Sequence, residues 1–228
     1  MSDFITFLII SISGLLLFGF TELMYHRFKI DVEITRKTAH IGSGLLSLLF
    51  PVYFHSQWWV LLICAMFQLL LVTSINLGFL KSINAVKRKT YGSVVYPIVV
   101  YIVFLFWFYL ERNPKENDNN YIYFYLPITI LAICDPIATF FGKKYPIYKL
   151  KKLSKSIGGS VAFWFTAFSI CFFFTLNSKV FGQFDIIWVS ILIATVSTFT
   201  ELYSKKGFDN LFIPISVIIS MYLVEYFS

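Results

Sequence analysis

The chain has 228 residues, of which 58% are hydrophobic and only 14% charged, with a formal net charge of +7. Mean hydropathy is +0.75, which excludes a water-soluble helical bundle, since a domain this small has no room to bury every helix on all sides. The basic surplus forms no nucleic-acid-binding module, and it suits loops lying against anionic headgroups.

In chain order, the apolar segments predict membrane spans at approximately 3–25, 40–55, 57–77, 93–110, 121–141, 159–176, 184–201 and 210–227. Each is about long enough, as helix, to cross ~30 Å of hydrocarbon. The expected fold is all-α: a polytopic integral membrane protein of about eight transmembrane helices, in one bundle and one domain over 1–228. The second segment and the last three are short or polar at one end, so seven spans with one re-entrant segment also fit. The first segment has neither a basic leader nor a small-residue cleavage site, and reads as a retained helix. Cys64, Cys134 and Cys171 fall inside apolar segments without metal-ligand spacing, as packing residues do. Trp58 and Trp59, after the tight turn His55-Ser56-Gln57, sit where an interfacial aromatic belt is expected.

The charge pattern fixes an orientation. Of the 19 Lys and Arg residues, all but Arg112, Lys115 and Lys179 fall in the segments 26–39, 78–92, 142–158 and 202–209. With eight spans these four connections share one side, and the positive-inside rule makes that side cytoplasmic, with both termini outside. The compact chain points to a bacterial inner membrane.

Four polar clusters gather at that boundary. In Arg36-Lys37-Thr38-Ala39-His40, followed by Gly42 and Gly44, the two cations can hold phosphate and His40 can donate a hydrogen bond or take a proton; a structural histidine is the alternative. Glu22 and His26, four residues apart on one helix face, can satisfy each other, and His55 lies on the opposite surface. Asp135-Pro136 stands within an apolar run. A carboxylate there must face protein, a cation or water, and the proline breaks the helix and frees a carbonyl; a polar interhelical contact is the alternative. Lys155-Ser156-Ile157-Gly158-Gly159-Ser160 opens the sixth span, where helix-start amides and a lysine favour phosphate oxygens. The alternative reading is an interfacial lysine followed by small packing residues. Glu201, Asp209 and Asn210, ahead of Pro214, offer hard oxygen ligands suited to Mg2+, or else a polar turn with Asp209 as a helix cap. Polar groups collected at one boundary suit an enzyme that brings a soluble nucleotide to a membrane-dissolved substrate. A carrier would place them at the midplane in paired broken helices.

These clusters, together with Tyr91-Gly92-Ser93-Val94-Val95-Tyr96-Pro97 and the run Asp135 to Gly142, stand in an order that resembles the dolichol, phytol and polyprenol kinase family. That family includes CTP-dependent diacylglycerol kinases and is related to phosphatidate cytidylyltransferases. The resemblance spans Glu33 to Pro214 and implies phosphoryl transfer from a nucleoside triphosphate, CTP first and ATP as the alternative, to a membrane lipid alcohol, with Mg2+ as the cation. It implies Asp135, Asp209, His40 and Lys155 as catalytic candidates, with Asp209 the first choice of base. Arg36, Lys37, Gly142, Lys155, Ser156, Gly158, Gly159 and Ser160 would hold phosphate, and Asp135, Asp209, Glu201 and Asn210 the metal. Lys155-Ser156-Ile157-Gly158-Gly159 replaces the lysine-proline-threonine pattern of the cytidylyltransferases, and Tyr145-Pro146 stands where kinase relatives often carry a further glycine. A cytidylyltransferase making CDP-diacylglycerol from CTP and phosphatidate is the alternative enzyme, and a lipid-binding or transport protein the non-enzymatic one.

Overall fold

A computed structural model describes residues 2–86, 90–111, 121–145, 149–150, 155–178, 180–181 and 185–227. Within hydrocarbon, main-chain N–H and C=O groups must bond inside their own segment, and the apolar runs accordingly form helices. In chain order these are α1 (Asp3–His26), α2 (Val32–Ser47), α3 (Phe50–Tyr53), α4 (Gln57–Leu77), α5 (Lys81–Asn84), α6 (Gly92–Glu111) and α7 (Ile122–Thr129). A π-helical turn (Ile130–Cys134) joins α7 to α8 (Asp135–Lys144), and α9 (Ile157–Leu176), α10 (Ile186–Tyr203) and α11 (Asp209–Phe227) complete the bundle. One departure from an all-helical chain is a two-residue antiparallel ladder, β1 (Lys149–Leu150) with β2 (Lys155–Ser156). The basic positions Lys87, Arg88, Lys89, Lys151 and Lys152, and Pro146, lie outside the described residues, as do Arg112, Lys115 and Lys179.

Among the described residues seven stretches are long and apolar enough to cross a membrane: α1, α4, α6, the rod from α7 through α8, α9, α10 and α11. The chain is a multi-pass, membrane-embedded helical protein. Exposed apolar side chains such as Leu16, Leu69, Phe165, Phe173 and Trp188 cover its outside. The α7–α8 rod is the central element: 67% of its apolar window is buried, against 22% for α9. A carboxylate carried on this rod can therefore be sheltered from lipid on every side.

The expected span at 40–55 takes a different form. Its helix starts at Val32, under an Asp31 cap that accepts the Glu33 N–H (2.8 Å), stops at Ser47, and resumes as the short α3. At 16 residues and carrying Glu33, Arg36, Lys37 and His40, α2 is both shorter and more polar than the seven and falls outside them. Even so, α2 and α3 return the chain to the end where α1 begins. There the Asp3 carboxylate accepts from the Ser56 N–H (3.0 Å), the His55 N–H (3.2 Å) and the His55 ring (2.8 Å). His55 thus lies at the far end of the bundle, and the Glu22–His26 pair forms as expected (2.9 Å).

Candidate functional site

The four polar clusters converge on one cavity of about 960 Å³ at the end of the bundle where α2 starts, α8 stops and α9 starts. Every predicted site residue except Gly158 lines it: Arg36, Lys37, His40, Asp135, Gly142, Lys155, Ser156, Gly159, Ser160, Glu201, Asp209 and Asn210.

Asp135 is buried at the start of α8 and receives a hydrogen bond from the Lys37 ammonium of α2. The local helix geometry explains how the two meet. Pro136 has no N–H to return to the preceding turn, and the chain widens into a π turn just before it, a distortion that often marks a functional position. The Leu131 carbonyl on that turn lies 2.9 Å from His40 Nε2. A carbonyl only accepts, so His40 carries its proton on Nε2 and donates there; Asp135 lies farther from that nitrogen, at 3.8 Å. Tyr96 of α6 packs edge-on against the His40 ring (4.6 Å) and donates to the His40 carbonyl (3.3 Å). Helix α2 comes this close because Gly44 has no side chain: a Cβ there would stand 2.4 Å from the Ala132 Cβ. His40 is a latch between α2 and the π turn, and its Nε2 is not free to serve as a base.

A second ion pair faces the first. Lys155, the first residue of β2, donates to the buried Glu201 carboxylate and to the Glu201 main-chain carbonyl of α10. Asp209, first residue of α11, has Oδ2 3.9 Å from the same ammonium and Oδ1 accepting the Asn210 N–H (3.1 Å). Asp135, Glu201 and Asp209 are close enough to sense one another's charge. Glu33 lies between Arg36 (3.5 Å) and Lys143 (3.7 Å). Against these four carboxylates the cavity wall sets Arg36, Lys37, Lys143, Lys155, Lys205 and Lys206, a surplus of cations that suits a polyanion. Arg36 Nε, Ser160 Oγ and Glu201 Oε2 are buried without a protein partner, and such groups call for a ligand or an ion.

The glycine-rich run is built differently from the phosphate cradle its residues suggest. Ser156 caps α9 by accepting the Gly159 N–H (3.2 Å), so that amide is already used. A Cβ at Gly159 would stand 2.8 Å from the Ala138 carbonyl and 3.3 Å from Gly142 Cα; the two glycines let α8 and α9 cross. Asn210 likewise spends its amide group on the Gly92 carbonyl (2.8 Å). That bond joins the α10–α11 turn to the start of α6, along with a Tyr91 N–H to Lys206 carbonyl bond (2.8 Å). Gly207 holds the contact: its φ is +88°, and a Cβ there would stand 2.3 Å from the Gly92 nitrogen. The sequence reading assigned no site role to Glu33, Tyr96 or Gly207. Tyr96 lies within the segment Tyr91 to Pro97, whereas the signal at Gly207 is a glycine inside a charged turn, Lys205-Lys206-Gly207-Phe208-Asp209.

The donor set bears on Mg2+. Among the described residues no three His, Cys, Asp or Glu side chains converge as a metal cage. The unpartnered Glu201 Oε2 and the loosely paired Asp209 fit the other common mode, in which one or two carboxylates share the cation with phosphate and water.

Two relatives align with this chain over most of its length. A phytol kinase from Synechocystis sp. is 27% identical over 198 residues, covering 85% of this chain and 80% of the relative. The chain is a distant homologue of phytol kinases. A probable chloroplastic phytol kinase 3 from Glycine max is 23% identical over 236 residues, covering 92% and 69% respectively. No family profile matches the chain, and no solved structure matches it.

Proposed function

We propose that this protein transfers the terminal phosphoryl group of a nucleoside triphosphate, CTP first and ATP as the alternative donor, to the hydroxyl of an isoprenoid alcohol such as phytol or a polyprenol. The observation that carries this reading is a single cavity with two characters: excess cations around Asp135, Glu201 and Asp209 at one end, and an apolar wall at the other. The distant phytol kinases supply the acceptor class.

Transfer forms the bond from the alcohol oxygen to phosphorus, breaks the bond from phosphorus to the bridging oxygen, and releases the nucleoside diphosphate and a proton. Its main requirement is electrostatic positioning. Arg36, Lys37 and Lys155 would bind the phosphates, each now held in place by a carboxylate, and Ser160 Oγ offers a buried hydroxyl. Asp209 is the candidate to take the hydroxyl proton, being the least tightly paired of the three central carboxylates. His40 positions α2 against Asp135. Mg2+, held by Glu201 and Asp209 with Asp135 and Asn210 adjoining, would neutralise phosphate charge.

The same reading counts α2 with α3 as an eighth crossing, since Asp3 meets His55 and Ser56. It makes 1–228 one lipid-kinase-like domain, turns the cavity and the basic loops to the cytoplasm, and leaves both termini outside, in a membrane we take to be bacterial. Purified protein in nanodiscs, given labelled CTP, Mg2+ and a panel of lipid alcohols plus phosphatidate, tests it. CDP with a phosphorylated alcohol is the expected outcome. CDP-diacylglycerol with pyrophosphate would reassign the protein as a cytidylyltransferase, and lipid retention without nucleotide turnover would make it a binding or transport protein.

A further inference from the structure

Phosphoryl transfer itself engages only the polar end of the cavity, and the apolar end has residues of its own to account for. Its wall is Phe18 of α1, Ala39 of α2, Leu71 of α4 and Ile83 of α5, a buried cluster separate from the main core and backed by Leu17, Phe67, Leu70 and Leu80. Helix α2 divides the two ends. His40 turns to the π turn beside Asp135, while Ala39, one residue earlier and about 100° away around the helix, joins the apolar cluster.

Ile83 is held in this wall by an unusual support. A four-residue helix has no stability of its own, and α5 is fixed by polar bonds from its neighbours. The Ser82 N–H and Oγ both donate to Glu22 Oε1 (2.9 Å each), and Ser82 Oγ also lies 3.3 Å from Thr21 Oγ1. The Ser82 carbonyl accepts from Thr35 Oγ1 (2.6 Å), and the Asn84 amide donates to Ser74 Oγ (2.8 Å). Three long elements, α1, α2 and α4, thus place one isoleucine against the cavity with a rigidity that a covering loop does not need.

We infer that this wall receives the hydrocarbon chain next to the acceptor's hydroxyl, and that Ile83 is a specificity-determining residue for that chain. The inference rests on the kinase reading for the identity of the acceptor and on continuity for its placement: wall and polar end belong to one cavity, so a chain lying on Phe18, Leu71 and Ile83 brings its hydroxyl to the polar end within the same space. A second groove, of about 610 Å³, runs between Tyr203 and Ile219 on the outer faces of α10 and α11. It shares Ser204 and Lys205 with the cavity, but a chain there would have to pass its hydroxyl between those residues.

The test is photolabelling in nanodiscs, without nucleotide, using an isoprenoid alcohol with a diazirine on its first isoprene unit. Label on peptides containing Phe18, Leu71 or Ile83, displaced by unlabelled phytol, is the expected result. Label on Tyr203 to Ile219, or undisplaceable label spread over lipid-facing residues, would overturn the inference. In the same preparation Ile83→Trp is expected to raise KM for long-chain alcohols at least tenfold with KM for CTP unchanged, alongside the lower thermal midpoint that overpacking a buried side chain brings; an unchanged KM for alcohols would also overturn it. Should no donor give a phosphorylated alcohol, the kinase reading fails alone, and the labelling pattern still decides where the chain lies.

Discussion

The two ends of the bundle handle buried charge differently. At the far end the Asp3 carboxylate is taken up by His55 and Ser56, and Glu225 accepts from the Tyr123 hydroxyl. At the cavity end Glu201 has one oxygen on Lys155 and the other buried without a partner, and Arg36 Nε and Ser160 Oγ are in the same position. Both ends satisfy the need to shelter ions near lipid. At the cavity end it is ion pairs, at Glu201 and Arg36, that are incomplete, in a space large enough for a nucleotide's phosphates, whereas Gln57 Oε1, buried without a partner at the far end, belongs to a neutral amide. An incomplete ion pair distinguishes a binding site from a structural clasp.

The largest effect that would test this contrast is at Asp135. D135N is expected to lower turnover about a hundredfold or more, and to cost about 3–5 kcal/mol by leaving Lys37 without its anion. The double variant K37M/D135L should regain stability in detergent but not turnover; activity returning with stability would make the pair structural only. Next is E201Q, which removes the anion that holds Lys155 and is expected to lower kcat/KM for CTP by about thirtyfold or more, since a truncated charge pair costs ~2–5 kcal/mol in binding. Unchanged nucleotide kinetics would place that pair outside the site. G207A drives a Cβ into Gly92 and should cost about 1–3 kcal/mol, read as a lower thermal midpoint together with weaker nucleotide binding. The smallest effect is reserved for the far end: D3N should cost about 1 kcal/mol with turnover unchanged, and a loss of activity there would erase the distinction between the ends.

Much of this was legible in the sequence because it depends on length and composition. Runs such as 57–77 and 159–176 lie within a few residues of their helices, and the Glu22–His26 pair follows from a spacing of four. What was not legible depends on which helix lies beside which. That Lys37, a phosphate candidate by its neighbours in sequence, also pairs with Asp135 shows only once α2 is laid against α8. Gly159 looks like a phosphate-binding amide until Ser156 and Gly142 are seen to use it for capping and crossing. The helix break at Leu48–Leu49 leaves no trace in hydropathy, since both residues are as apolar as a span requires.

The π turn at Ile130–Cys134 has a consequence for how far the cavity tolerates change. Such a turn is one residue of extra phase in an otherwise regular screw. Deleting one residue from it would restore the ordinary winding with Asp135 to Gly142 left on the same face, whereas winding the full count as regular α-helix would swing them by about 100° around the rod axis. The carboxylate would then leave Lys37 and turn toward another neighbour. The azimuth of the whole acidic centre is therefore set by a one-residue count deep in the bundle, in a stretch whose side chains are all apolar.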